Sequence, residues 1–521
     1  MEYNLPSEIV KDLNFGDQAK SKILKGVDKL AKAVKSTLGA SGKCVIYEDA
    51  RGKPVITKDG VTVAESVVLF DPVENMGATL IKEAARNTVK EAGDGTTTAI
   101  VLAEALINEV NKEKYKDSSI REIKEGINSG LKKVNDYLKE NTIEIEGDML
   151  QQVSSISCNN DLTLGKIISE AYEKVGKDGV VLMEGSDTEN TYVDVVDGVQ
   201  IESGLTSPHF VTDNDKQRAI LENPLILIVA SEIPNVRKIQ NILEFAIKNN
   251  KSLLIVAQVS QQVKSALLMN KVKGNIKVNI VDLPGFGPTK QDTVKDLAIL
   301  TGADVINEEL GDDLDGISLD ILGEVEKVVT DDKNTVITTL KTTENISERI
   351  RQVEKLKKNE KNGFLKKFLE QRLAMLSGSV GIIRVGADSK VELKEKKDRV
   401  EDAIYATKAA LKEGIVPGGG IALLNASQFI VPENVGETIL LNAIKSPFET
   451  ILYNAGIEDY KEMDEGVGID VITGEKEYML HLGIIDPLLV TKTALKNAIS
   501  VVSTIISANC VISNIRVNES S

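Results

Sequence analysis

The stretch AGDGTTTA, residues 92–99, lies between two helical patterns and is the most informative segment of the chain. Gly93 and Gly95 let the backbone turn tightly and approach a ligand. The hydroxyls of residues 96–98 come at the start of the second helix, where free N–H groups and the helix dipole favour an anion. Asp94 offers a hard oxygen ligand for Mg²⁺ beside that anion. Taken alone, the stretch supports phosphate binding and simple helix capping equally.

Three further segments are candidates for ligand contact, and each also has a plain structural interpretation. The GxxxxGK[ST] sequence of a P-loop is absent, so a nucleotide would need another architecture. Residues 56–64, ITKDGVTVA, are predicted to form a strand, an Asp59-Gly60 turn and a second strand. Residues 37–42, TLGASG, form either the C-cap of a helix or a backbone cradle for a nucleotide. The glycine run at residues 418–420 permits either close ligand approach or a flexible joint.

Asp402 and His209 are weaker candidates when only the residue pattern is considered. Val400, Ile404 and Thr407 mark one face of a helical stretch, and Asp402 points roughly away from it. The pattern therefore predicts an exposed aspartate on the protein surface. His209 is expected to be a surface histidine or one satisfied by its neighbours.

The two ends of the chain have helical patterns, whereas the middle alternates short apolar runs with segments of helical length. The runs at residues 225–230, 253–257 and 276–281 are rich in β-branched side chains, which indicates parallel strands with crossover helices. A charged stretch at residues 346–376, broken near its centre, predicts an antiparallel helix pair. One economical organisation has both ends building one domain with the middle inserted, although the pattern does not establish that the ends meet.

The composition excludes several classes of protein. The 521 residues include 63 Lys and Arg against 79 Asp and Glu, for a net charge of −16, which disfavours nucleic-acid binding. Three cysteines and two histidines argue against a disulfide framework, a His-based zinc site and a Ser-His-Asp triad. No secretory signal is visible, and the uncharged residues 497–515 are polar enough to predict a buried helix running into a strand. We therefore expect a cytoplasmic protein without membrane contact.

Taken together and in order, these segments resemble the group I chaperonins, the GroEL-like family. The resemblance runs nearly end to end through TLGASGKCV from residue 37, ITKDGVTVA from 56, ENMGA from 74, AGDGTTTA from 92, PGFG from 284, VELKEKKDRVEDA from 391, the glycine run and GIIDP from 483. It implies an α+β multidomain fold. A mostly helical equatorial domain would comprise residues 1–140 and 413–521, a small hinge-like intermediate domain residues 141–196 and 380–412, and an α/β apical domain residues 197–379.

The same resemblance implies an ATPase that uses ATP and Mg²⁺, with K⁺ as a further possible ion. Asp94 would bind Mg²⁺, while Asp59 and Asp402 would flank the water that attacks the γ-phosphate. The residues that would contact the nucleotide are Thr37, Leu38, Gly39, Lys58, Gly95, Thr96, Thr97, Thr98, Gly419, Asp470 and Asp486. Within this nucleotide site two positions depart from the family pattern, because Ala40 replaces a proline and Asp470 replaces an asparagine.

For partners, the resemblance implies unfolded polypeptide clients, a co-chaperonin lid and a homo-oligomeric, seven-fold ring. The apolar client-binding side chains would be Leu205, Phe210, Leu243, Leu268 and Met269. Gln240 and Lys264 stand where the family has apolar residues, and the segment 456–470 is shorter than usual, which leaves single and double rings open. The implied function is ATP-driven protein folding. The alternatives are an oligomeric holdase or scaffold without productive cycling and, with less support, a small-molecule phosphotransferase.

Overall fold

The computed structural model describes most of the chain as two compact units. The first unit comprises Met1–Ser169 and Ala387–Ser521, and the second comprises Glu170–Gly386. The described residues are 11–49, 51–158, 160–176, 179–186, 188–214, 216–284, 290–308, 311–312, 314, 317–339, 344–360, 363–376, 378–458, 460 and 463–514. The predicted PGFG motif and the end of the predicted 497–515 segment fall partly outside these residues.

The α-helices account for most of the first unit and alternate with strands in the second. Their bounds are α1 Gly16–Lys35, α2 Gly60–Ser66, α3 Pro72–Ala92, α4 Thr96–Val110, α5 Ile120–Glu140, α6 Met149–Ser157, α7 Leu162–Val175, α8 Gln240–Lys248, α9 Gln261–Val272, α10 Lys290–Thr301, α11 Glu344–Asn359, α12 Gly363–Leu376, α13 Lys390–Glu413, α14 Ile421–Phe429, α15 Val435–Ala443, α16 Ser446–Asn454 and α17 Leu488–Ile505.

The β-strands are short, and several of them form two-stranded ribbons. Their bounds are β1 Lys11–Phe15, β2 Val45–Glu48, β3 Pro54–Thr57, β4 Val180–Gly185, β5 Tyr192–Ile201, β6 Ala219–Glu222, β7 Leu225–Ile233, β8 Leu253–Val259, β9 Val278–Val281, β10 Val305–Ile306, β11 Gly323–Glu324, β12 Lys327–Thr330, β13 Thr335–Thr338, β14 Ser379–Val385, β15 Ile415–Pro417, β16 Val467–Ile469, β17 Lys476–Tyr478, β18 Ile485–Pro487 and β19 Cys510–Asn514.

The core of the first unit is built by the long helices α1, α3, α4, α5 and α17. In α1 the side chains at 3.6-residue spacing, including Ile23, Val27 and Leu30, are buried as their pattern predicts. Helix α17 is long and apolar enough to cross a membrane by length and composition, but 67% of it is buried inside the protein. It is therefore a core helix, and the predicted succession of a buried helix and a strand is confirmed by α17 and β19.

The two ends of the chain meet in the first unit. Strand β1 pairs antiparallel with β19, with Leu13 opposite Ile512 and Phe15 opposite Cys510. Three other two-stranded ribbons, β2–β3, β15–β18 and β16–β17, lie in the same unit. The middle of the chain is thus inserted between segments that build one unit, while the predicted division into three domains stays a prediction.

The second unit contains the parallel strands that the apolar runs predict. Strand β8 pairs parallel with both β7 and β9, and β10 pairs parallel with β7. A six-stranded sheet has the order β4-β14-β5-β13-β12-β6. The predicted helix pair in the charged stretch is also confirmed, as α11 and α12.

Candidate active site

The segment between α3 and α4 leaves the start of α4 without a cap. Helix α3 ends at Gly93, whose φ of 81° is left-handed, and α4 begins after Gly95, whose φ is 93°. No side chain caps α4, so the first N–H groups of the helix are available to an anion. The Gly95 N–H donates to the Asp94 carboxylate, which orients that side chain. Of the two interpretations that the sequence left open, a side-chain cap is absent from the start of α4 and phosphate binding stays a prediction.

Asp59 lies at the start of α2 rather than on a hairpin turn. The predicted second strand at residues 61–64 is wrong, because these residues form the helix α2. The reason is local: the Asp59 carboxylate accepts hydrogen bonds from the N–H groups of Val61 at 3.1 Å and Thr62 at 2.9 Å, which nucleates the helix. A run of β-branched residues therefore becomes helical because of its cap.

The starts of α2 and α4 are in close contact. A β-carbon added to Gly60 would lie 2.1 Å from Oγ1 of Thr97, so any other residue here would displace that hydroxyl. Glycine at position 60 leaves room for the Thr97 hydroxyl as it is placed. The contact brings Asp59, the residue before Gly60, to the same place as the uncapped start of α4.

Helix α13 carries Asp402 to the Gly93–Gly95 segment. A β-carbon added to Gly93 would lie 2.4 Å from Cβ and 2.5 Å from Cγ of Tyr405, one turn beyond Asp402. On its other side α13 packs against α6, where the buried hydroxyls of Ser154 and Thr407 lie 2.9 Å apart. Helix α13 is thus held between α6 and the glycine segment.

The Asp402 side chain is exposed to solvent, as its pattern predicts, but it does not lie on an open surface. Protein surrounds it closely enough that burial is the main cause raising its pKa well above the usual range for aspartate, followed by the charges of Asp94 and then Asp59. Solvent access combined with surrounding protein is typical of a group in a cleft. The helical pattern predicted the exposure of Asp402 correctly, but it contains no information about the other carboxylates near it.

Asp486 and the glycine run form another side of the site. Strands β15 and β18 pair so that Val416 lies opposite Asp486. The Asp486 pKa is raised to about 7, mainly by burial and then by the charge of Asp94, although the N–H groups of Gly419 and Gly420 donate to the carboxylate and oppose the rise. The structure therefore brings together Gly419 and Asp486, which are 67 positions apart in the sequence.

Four carboxylates, those of Asp59, Asp94, Asp402 and Asp486, influence one another electrostatically. The pKa of Asp94 is raised chiefly by burial and further by the charge of Asp59. None of these four has an ion-pair partner among the residues that the structure describes. A bound cation would relieve their repulsion.

The carboxylates do not form a closed metal site of their own. Among the described residues, no three His, Cys, Asp or Glu side chains are grouped closely enough to hold a metal ion. Mg²⁺ is usually bound by one or two carboxylates and completed by water and phosphate oxygens. The donor set therefore fits Mg²⁺ arriving with a phosphate ligand.

The TLGASG segment follows α1, as its interpretation as a helix end predicts. Gly39 adopts a φ of 83°, and Gly42 donates its N–H to the carbonyl oxygen of Gly39 at 3.0 Å. The amide of Asn454 donates to the carbonyl oxygens of Lys35 at 2.8 Å and Leu38 at 2.9 Å, which fixes the segment. Sequence reasoning missed Asn454, because nothing in the pattern of α16 connects it to residues more than 400 positions earlier.

Asp470 lies in the turn between β16 and β17. Its carboxylate accepts hydrogen bonds from the N–H of Ile472 at 2.9 Å and from Oγ1 of Thr473 at 3.1 Å. A β-carbon on Gly468 would lie 2.8 Å from Ile421, so this ribbon packs against the helix that follows the glycine run. The nucleotide role of Asp470, like those of Thr37, Leu38 and Lys58, stays a prediction.

The expected client-binding residues lie in the second unit and differ widely in exposure. Met269 is 59% exposed, and Leu205 and Leu268 are partly buried. Phe210 and Leu243 are core residues at 0% and 7% exposure, so they do not provide the apolar surface expected of them in this conformation. Phe210 packs into an apolar core of the second unit, and Lys271 of α9 fixes the backbone on both sides of it by donating to the two flanking carbonyl oxygens at 2.9 and 2.8 Å.

Comparison with known proteins finds a matching family model and solved structures of similar fold. The model of the TCP-1/cpn60 chaperonin family matches residues 30–516. A crystal structure of the chaperonin gp146 from the bacteriophage EL 2 (Pseudomonas aeruginosa), in the presence of ATP-BeFx, is 21% identical, with a TM-score of 0.72 over 96% of this chain and 98% of that chain. A second crystal form of gp146 gives 21% identity and a TM-score of 0.65 over 97% and 99%. The predicted α+β multidomain chaperonin fold is confirmed by these matches.

Proposed function

Since this chain belongs to the TCP-1/cpn60 chaperonin family, we propose that it is an ATP-driven chaperonin that binds non-native polypeptides and promotes their folding within a ring. The gp146 structures were obtained in the presence of ATP-BeFx, which supports nucleotide binding by a protein of this fold. The proposal also includes a cytoplasmic location. Three unpaired cysteines, Cys44, Cys158 and Cys510, are compatible with a reducing compartment.

One observation carries the proposal: separate parts of the chain converge on the uncapped start of α4. Asp59, Asp94, Asp402 and Asp486 come from four different connections or elements and share one electrostatic environment. Carboxylates beside free helix N–H groups form a site for a cation and an anion together. Mg·ATP has this combination of charges.

In the proposed reaction the chain positions the reactants and stabilises charge. The N–H groups at the start of α4 and the hydroxyls of residues 96–98 would bind the phosphates, and Asp94 would hold Mg²⁺, which neutralises phosphate charge when bound. Asp59 and Asp402 would orient the attacking water and accept its proton. The raised pKa of Asp402 would fall once a cation offsets the neighbouring charges, leaving a carboxylate able to act as a base.

Assembly into a ring is supported by two exposed apolar ribbons in the first unit. On β1–β19 the side chains of Leu13, Phe15 and Ile512 are 50%, 58% and 56% exposed. On β2–β3 the paired residues Ile46 and Ile56 are 69% and 67% exposed. Isolated two-stranded ribbons are marginal in water and their edges invite further strands, so we propose that neighbouring copies cover them.

The exact ring stoichiometry, the co-chaperonin lid and a K⁺ ion beside the nucleotide remain parts of the proposal that rest on the family. The client surface would centre on Met269 and the partly exposed Leu205 and Leu268. Exposed apolar side chains of this kind would bind unfolded chains without regard to sequence.

The test compares the wild-type chain with Asp402→Ala and a matched control, Asp388→Ala, which removes an exposed carboxylate just before α13. We expect wild type and Asp388→Ala to release phosphate from Mg·ATP and to restore a chemically denatured client. Asp402→Ala should bind ATP with little change but lose about a hundredfold or more in turnover, together with client recovery.

Near-normal turnover of Asp402→Ala would remove Asp402 from the reaction. If the wild-type chain suppresses client aggregation without releasing phosphate, the holdase alternative replaces the proposed folding cycle.

A further inference from the structure

Tyr405 occupies a position that links the carboxylate of Asp402 to the Gly93–Gly95 segment. It lies three residues after Asp402 on α13, so the two side chains share a helix face. The base of its side chain rests on Gly93, where an added β-carbon would lie 2.4 Å from Cβ, 2.5 Å from Cγ and 2.8 Å from Cδ1. Glycine is favoured at position 93 for two reasons, its φ of 81° and the tyrosine packed against it.

The Gly93–Gly95 segment is also closely packed at its other end. A β-carbon added to Gly95 would lie 2.7 Å from Cγ1 of Val490 in α17. Val490 packs with Ala92 and Ala409 in a small buried cluster that joins the ends of α3, α13 and α17. The segment that carries Asp94 is thus held between α13 on one side and α17 on the other.

In this arrangement one aromatic side chain lies where the helix that carries Asp402 meets the segment that carries Asp94. Asp94 follows Gly93 directly, and Asp402 precedes Tyr405 by less than one helical turn. A looser or tighter contact between Tyr405 and Gly93 would alter the spacing between α13 and this segment, and with it the placement of Asp402 relative to Asp94. Phosphoryl transfer depends mainly on positioning, and a displacement of about 1 Å can reduce a rate a hundredfold.

We infer that Tyr405 is a positioning residue for ATP hydrolysis: its ring, resting on Gly93, sets the placement of Asp402 relative to Asp94. The inference rests on the proposed function. Tyr405 does not have to contact the nucleotide in this role, because it acts through the position of α13. Its packing against the backbone, rather than its hydroxyl, carries the effect.

The test measures phosphate release against ATP concentration for Tyr405→Ala and Tyr405→Phe. Alanine is a strong helix former, so α13 should persist in Tyr405→Ala. We expect kcat to fall about ten- to a hundredfold in Tyr405→Ala, with KM changed less than about threefold. Tyr405→Phe keeps the ring on Gly93 and should keep at least about half of the wild-type kcat.

A second pair of variants tests the contact from the other side. Gly93→Ala inserts a methyl group under the tyrosine and should lower kcat to a similar degree as Tyr405→Ala. Gly456→Ala is the matched control, because Gly456 has a similar φ of 75° but no atom within 4 Å of an added β-carbon. It carries the same backbone strain without the collision and should keep wild-type turnover.

The outcomes separate this inference from the proposed function. A wild-type chain that releases no phosphate overturns both. Wild-type hydrolysis with undiminished kcat in Tyr405→Ala, or a rise in KM alone, overturns the inference and leaves the proposed function intact. If Tyr405→Ala does not fold, Gly93→Ala decides, and its retention of wild-type kcat overturns the inference.

Discussion

At the scale of single residues, Asp59 combines a structural and a proposed chemical role in one carboxylate. It caps α2 through the N–H groups of Val61 and Thr62 and through the Thr62 hydroxyl at 2.6 Å. It also contributes to the charge around Asp94 and Asp402. A loss of activity after its removal would be ambiguous unless the two roles are separated.

Replacing Asp59 with asparagine separates the capping role from the chemical role, because asparagine caps helices about as well as aspartate but carries no charge. We expect Asp59→Asn to keep stability within about 0.5 kcal/mol of wild type while turnover falls at least about tenfold. Asp59→Ala should lose the cap as well, at about 1 kcal/mol. Urea unfolding and phosphate release of both variants check this, and wild-type turnover in Asp59→Asn would contradict a chemical role for the charge.

At the scale of elements, buried charges fix the packing of helices in the first unit. Glu437 of α15 has a side chain only 1% exposed, and it accepts hydrogen bonds from Ser129 and Lys133 of α5 at 2.8 and 2.9 Å. The N–H of Glu433 donates to it at 2.8 Å. Burial would raise the pKa of Glu437, but these donors lower it to about 2.

A carboxylate with a lowered pKa stabilises the folded state at neutral pH and stops doing so in acid. Its contribution is complete above the unfolded pKa of 4.5 and is lost as the pH falls through about 2. We therefore expect Glu437→Gln to lower the free energy of unfolding by about 1–3 kcal/mol at pH 7. That difference should shrink below pH 4.5, which urea unfolding followed by circular dichroism would measure.

The matched control is Glu433→Gln. Its side chain is 77% exposed and pairs with the same lysine, so it should change stability by less than about 0.5 kcal/mol. If the two substitutions changed the free energy of unfolding equally, the burial of Glu437 would not be the reason that its ion pair stabilises the protein.

Element by element, the sequence patterns predicted long helices and parallel strands well. The pattern of α1 and the rhythm of β7, β8 and β9 follow directly from which side chains can be buried. Helix α2 was missed because one capping side chain outweighs a β-prone sequence.

The patterns identified Asp94 by the glycines beside it. The neighbours of Asp402, in contrast, depend on contacts between residues about 310 positions apart, which no local pattern contains.

The core positions of Phe210 and Leu243 were missed for a related reason. The resemblance to the family predicted which residue types bind clients at these positions. It did not predict the lysine that lies over Phe210. Lys271 and Lys264 both donate to carbonyl oxygens of residues 206–211, which holds that segment against α9. The exposure of an apolar side chain in this segment therefore depends on these contacts and not on the residue type alone.

At the scale of the whole molecule, the exposed ribbons predict assembly. We expect Ile46→Asp to weaken the oligomer, because a charge would be buried where a neighbouring copy covers the β2–β3 ribbon. A subunit of 56.5 kDa gives about 400 kDa for one seven-fold ring and about 790 kDa for two. Light scattering should show a mass in this range for wild type and mostly smaller species for Ile46→Asp.

Leu319→Asp serves as the control, since Leu319 is an exposed apolar residue, at 39%, in the second unit. It should leave the mass unchanged. An unaltered mass for Ile46→Asp would mean that the ribbon is not part of the interface between copies.

The pairing of β1 with β19 has a consequence for how the protein is made. Synthesis at about 5–20 residues per second means that Phe15 leaves the ribosome about 25 to 100 seconds before Cys510, its partner in the ribbon. The second unit, Glu170–Gly386, is continuous and can complete its sheets while translation continues. The helices at the beginning of the chain must wait for α17 and β19, so the nascent chain exposes much of its own core until the last part of the first unit has been synthesised.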